Sequence, residues 1–124
     1  RVRPLLSPPI ALDADMVCAS MWVRSKGGKS PASIRLALFD EKGGKKLLDL
    51  LSADLDGSGA WRKVQRAAIK TNKALGRVRI GLYLVGLDEG RSVEVDQIGL
   101  FRGDRFPEGG VSNNDDTHVV EAED

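Results

Sequence analysis

The chain has 124 residues, 41% of them hydrophobic and 30% charged, with a formal net charge of +1. That is enough for one domain with a sizeable core, and the near-zero balance excludes bulk electrostatic attraction to nucleic acid or an anionic membrane surface. A single cysteine, Cys18, excludes an internal disulfide, and no apolar run is long enough for a transmembrane helix.

Along the chain, "MVCASMWVRS" (16–25) alternates, with Val17, Ala19, Met21 and Val23 on one face and Cys18, Ser20, Trp22 and Arg24 on the other. "SIRLALFDE" (33–41) sets Ile34, Leu36 and Leu38 against Arg35, Ala37 and Phe39. "KKLLDLLSADL" (45–55) and "AWRKVQRAAIKTNKAL" (60–75) are ambiguous, because the first spaces its leucines as a helix would and the second is rich in helix formers. Both are short and glycine-bounded, and the first follows the hairpin signal Gly43-Gly44, so both are read as strands. "RVRIGLYLVG" (77–86) sets Val78, Ile80, Leu82 and Leu84 against Arg77, Arg79, Gly81 and Tyr83, and "SVEVDQIGLFRG" (92–103) carries Val93, Val95, Ile98 and Leu100. Period two with one apolar face marks half-buried antiparallel strands. Their spacing, with a turn about every ten residues, predicts an all-β sandwich of two antiparallel sheets. Leu36, Leu38, Ile80, Leu82 and Leu84 should lie between those sheets.

Residues 104–124 read as a separate acidic tail or linker after a binding domain over 1–103. Five of the 18 acids and none of the 19 bases fall in 113–124. A basic body can attract such a tail. "THVVEA" (117–122) has the pattern of a short strand, and an open sheet edge in this chain or a neighbouring copy would accept it.

Catalysis finds little footing. His118 is the only histidine and lies in the acidic tail, away from any nucleophile that a triad would need. Zinc would require more His and Cys than the chain has, and no carboxylate pair is singled out by spacing. The chain therefore reads as a non-enzyme. Arg102-Gly103-Asp104 is a tripeptide short enough to recur by chance.

The order "CASMWVRSKGG … SIRLALFDEKGG … GAWRKVQRAAI … GRVRIGLYLVG … SVEVDQIGLFRG" resembles the jelly-roll carbohydrate-binding modules with the galactose-binding-like fold. The carriers are Ser20, Trp22 and Val23, then Trp61 and Val64, then Val95, Asp96, Ile98 and Leu100. The resemblance covers roughly residues 10–103. It implies a jelly-roll β-sandwich that here lacks one or two N-terminal strands, and an extracellular or cell-envelope location. It also implies a polysaccharide or oligosaccharide ligand, bound on an outward sheet face through Trp22, Arg35, Arg79, Tyr83 and Glu94. Sugars stack their C–H faces on aromatic rings and pair their hydroxyls with Arg and Glu. Trp61 is implied to be structural, wedged at the sandwich edge. Asp96 is implied to contribute to a structural calcium site whose other oxygen ligands come from an upstream segment; a strand-end hydrogen bond is the plainer role for it. No nucleic acid or membrane insertion is expected. A homo-oligomer, or an upstream chain that completes the sandwich, is the further partner. The competing reading is a structural or assembly domain that contacts protein through an exposed face or edge.

Overall fold

In a computed structural model, residues 3–72, 74–86 and 90–108 are described in full, and 117–121 by their backbone. The described chain forms nine strands: β1 (Leu5–Leu6), β2 (Ile10–Leu12), β3 (Met16–Lys26), β4 (Ser33–Asp40), β5 (Lys46–Asp54), β6 (Arg62–Lys70), β7 (Gly76–Val85), β8 (Ser92–Arg102) and β9 (Thr117–Glu121). They build two antiparallel sheets. A five-stranded sheet runs β1-β7-β4-β5, with β2 also on β7, and a four-stranded sheet runs β6-β3-β8-β9.

The predicted alternation sets the two layers. Val17, Ala19, Met21, Val23, Val93 and Val95 of the four-stranded sheet meet Ile34, Leu36, Leu38, Val78, Leu82 and Leu84 of the five-stranded sheet in one core cluster. Of the five residues predicted between the sheets, Leu36, Leu38, Leu82 and Leu84 are buried and Ile80 is half-buried against the core. Cys18 is buried, its Sγ 3.6 Å from the Gly103 carbonyl oxygen. The β4–β5 hairpin closes on Asp40: its N–H donates to the Lys45 carbonyl (2.9 Å), and its Oδ1 accepts from the Gly44 N–H (2.9 Å). Gly43 supplies a φ of 79° that an L residue adopts only under strain.

Both helix-like stretches fold as strands, and in β5 a bulge explains the misleading spacing. In β5 the register passes from Leu51 opposite Leu36 to Asp49 opposite Ala37, so Leu50 is the extra residue. Leu50 and Leu51 are consequently both buried, which no strict period of two produces. In β6 the register on β3 shifts between Val17 and Ala19, near Ala68, whose φ is 53°. A further bulge, in β8, has Gln97 at a φ of 53°. It switches the core-facing residues from Val93 and Val95 to Ile98 and Leu100.

β9 lies within the segment read as an acidic tail or linker. Thr117–Glu121 pairs antiparallel with β8, Thr117 opposite Asp96 and Glu121 opposite Ser92, so part of the tail completes the four-stranded sheet of its own chain. Residues 109–116 and 122–124 lie outside the described residues. Truncation after Gly110 strips this strand from β8 and is expected to lower Tm by on the order of 5 °C in a thermal melt. An unchanged Tm would place β9 outside the cooperative unit.

Candidate functional site

The outer face of the five-stranded sheet is laid out in three rows across β7, β4 and β5: Tyr83–Arg35–Ser52, Gly81–Ala37–Asp49 and Arg79–Phe39–Lys46. Phe39 folds its ring over Gly81 and meets Tyr83 edge-on, with centroids 6.2 Å apart and planes at 78°. This buttress fixes Tyr83, which stays half-buried with its phenol toward Lys46. The Lys46 ammonium lies 3.0 Å from Asp49. That hydrogen bond first, and the Tyr83 phenol second, hold Lys46 above the usual lysine range.

The two arginines of this face differ. Arg79 is tied to the backbone: its Nε donates to the Glu41 carbonyl (2.5 Å) and its Nη1 to the Ser7 carbonyl (3.1 Å). It clamps the β1–β2 segment to the β4–β5 turn, and those donors are not available to a ligand. Arg35 is half-buried, and its Nε is fully buried without a hydrogen-bond partner. It lines an open cleft of about 440 Å³ with Asp49, Leu50, Leu51 and Ser52 of β5 and Val64, Gln65 and Arg66 of β6. The cleft thus runs along the side of the sandwich where the edge strands of the two sheets face each other.

The outer face of the four-stranded sheet carries the other candidates. Trp22 lies between Lys63 and Asp96, and Arg24 lies opposite Glu94. Arg24 Nη2 is 2.9 Å from Glu94 Oε2, and its Cζ stands 4.7 Å over the Trp61 ring. The Arg24 hydrogen bond holds the Glu94 carboxyl below its ordinary value. Trp61 is 37% exposed, so it is stacked under a guanidinium rather than wedged into the sandwich edge. Asp96 has a local role, since its Oδ1 accepts the Gln97 N–H at 2.8 Å and so braces the β8 bulge in mid-strand. No group of three or more His, Cys, Asp or Glu suited to a metal stands among the described residues.

The five predicted ligand residues therefore do not form one site. Arg35, Arg79 and Tyr83 belong to one sheet, and Trp22 and Glu94 to the other. Stacked sheets lie about 10 Å apart, and side chains on their two outer faces point away from each other. Trp22 and Glu94 cannot share a ligand with Arg35 and Tyr83. Sequence reasoning missed Ser52, Gln65 and Arg66 as cleft residues; their only signal was polarity on two strands whose partners were unknown.

A second groove, of about 350 Å³, opens between Leu5, Leu6 and Pro8 on one side and Ile98 on the other, with Leu36 and Leu82 in its lining. Among the described residues, Ser7 is its sole polar side chain, and that hydroxyl is engaged with the Pro8 carbonyl and the Ile80 N–H. No family model, curated protein or solved structure matches the chain.

Proposed function

We propose that this is a non-catalytic saccharide-binding module whose site is the cleft lined by Arg35, with Tyr83 opposite Arg35 on the neighbouring strand. The observation that carries the reading is Arg35, whose buried Nε has no hydrogen-bond partner, standing opposite the buttressed Tyr83 and lining an open cleft with Ser52, Gln65 and Asp49. A ring for C–H stacking next to fixed polar groups is what a sugar requires. Support for a jelly roll comes from the strand order β2-β7-β4-β5 facing β6-β3-β8-β9, with most connections passing between sheets. The resemblance of the strand motifs to galactose-binding-like modules points the same way.

A glycan array probed with the domain tests the proposal. Arg35→Ala should weaken binding about tenfold or more, the loss of a hydrogen bond to a charged group. Tyr83→Ala should weaken it severalfold, and Trp22→Ala, on the opposite face, should leave it unchanged. Loss of binding in Trp22→Ala alone would move the site to the four-stranded sheet. The assembly reading rests on the apolar groove between Leu5 and Ile98; an array with no bound glycan, together with a sedimenting dimer, would favour it.

A further inference from the structure

We propose that the saccharide taken by the cleft is anionic, carrying a carboxylate or sulfate that Arg35 receives with Arg66 beside it. This rests on the saccharide-binding reading and specifies its ligand. The argument starts from the other arginines whose side chains are withdrawn from solvent. Arg24 is paired with Glu94, Arg79 donates to two carbonyls, and Arg91 donates to the Ser30 carbonyl. The Nε atoms of Arg24, Arg35 and Arg91 are all buried without a hydrogen-bond partner, but Arg35 is the one whose remaining donors also make no hydrogen bond, ion pair or ring contact with a described residue. Withdrawing a guanidinium donor from water without an acceptor is costly.

The neighbours do not relieve that cost. Ser52 and Tyr83, directly opposite Arg35 on the flanking strands, offer neutral hydroxyls. Asp49, the one carboxylate among the described residues that line the cleft, is engaged by Lys46 at 3.0 Å. Two guanidiniums, Arg35 and Arg66, therefore line the cleft with no carboxylate free to balance them. A neutral sugar hydroxyl could accept from Arg35 but would leave the charge uncompensated. A carboxylate or sulfate offers two or more oxygens to the guanidinium fork and compensates the charge as well. Ser52 and Gln65 of the lining, with Tyr83 on the strand beside Arg35, would hold the sugar ring that bears the anion.

The test uses the ¹⁵N-labelled domain and three probes: a short oligogalacturonate, the fully methyl-esterified form of the same oligomer, and a dextran sulfate fragment. The ester keeps the sugar backbone and removes only the charge. An anionic arm should bind at least tenfold more tightly than the ester, weaken with added salt and shift the Arg35 Nε–H resonance. Whichever anionic arm does so names the source as carboxylate or sulfate. Arg35→Gln should abolish the preference over the ester while leaving the apo Tm unchanged or higher, because it removes a guanidinium without an acceptor. Equal binding of ester and acid would overturn the anionic ligand and leave the saccharide reading standing. Absence of binding on every arm and on the glycan array would remove both. An Arg35→Gln protein that melts lower yet keeps the preference would make Arg35 structural, and unchanged dextran sulfate binding in that variant would reduce the effect to general basic attraction.

Discussion

Leu38→Ala is expected to destabilise the domain by about 2–5 kcal/mol, the range for removing a buried leucine from a core that cannot collapse. Leu38 is fully buried. Its strand is hydrogen-bonded on both sides, with Ile80 of β7 and Leu48 of β5 opposite it, so the backbone cannot move in to fill the cavity. Against a total stability of about 5–15 kcal/mol for a domain, a loss of that size is visible as a large fall in the urea midpoint at constant slope. Leu47→Ala is the control. Leu47 lies on the neighbouring strand and is 37% exposed, so its truncation should cost under about 1 kcal/mol. A Leu38→Ala midpoint equal to wild type would mean that the inner and outer faces of β4 have been interchanged.

Leu38 also shows what the sequence carried. Its alternation with Ala37 and Phe39 separates the inner from the outer face of β4, and the same parity holds in β3 and β7 because those strands keep period two where they meet the core. Bulges were harder to read. The spacing Val93, Val95, Ile98, Leu100 has one residue too many between Val95 and Ile98, and that extra residue is the bulge at Gln97, braced by Asp96. The leucines of β5 mimic a helix for the same reason, since an extra residue converts a spacing of two into one of three.

The site was legible only in halves. Parity tells whether a side chain faces the core or solvent, but a sandwich has two solvent faces and parity is the same on both. Trp22 and Tyr83 each point outward, yet the choice between sheets depends on which strands pair, a long-range property that local pattern does not contain. The Arg35 cleft needed a further step, because Gln65 and Arg66 reach it only through the meeting of β5 and β6 at the side of the fold. In the same way, nothing local distinguishes Arg79, held by two carbonyls, from Arg35, held by none.

Gly81→Ala should couple stability to the site. The position lies in mid-strand, opposite Ala37 of β4 and Leu6 of β1 on the outer face. A methyl group there would stand 2.3 Å from Phe39 Cε1, 2.4 Å from Cδ1 and 3.1 Å from Leu6 Cδ2. The ring occupies the space that the missing side chain leaves, so the expected cost is that of overpacking, about 1–3 kcal/mol. Phe39 is 8% exposed and its other neighbour is Tyr83, so relief requires the ring to swing and Tyr83 to follow. On the proposed saccharide-binding function, affinity should therefore fall along with Tm. Gly44→Ala provides the baseline, because a methyl group at Gly44 meets nothing within 4 Å. Phe39→Leu in the Gly81→Ala background should recover part of the lost stability, which a double-mutant cycle reads as a coupling energy between the two positions. If Gly81→Ala melts with Gly44→Ala and binds as the wild type does, the Phe39 ring is not what holds Tyr83 in place.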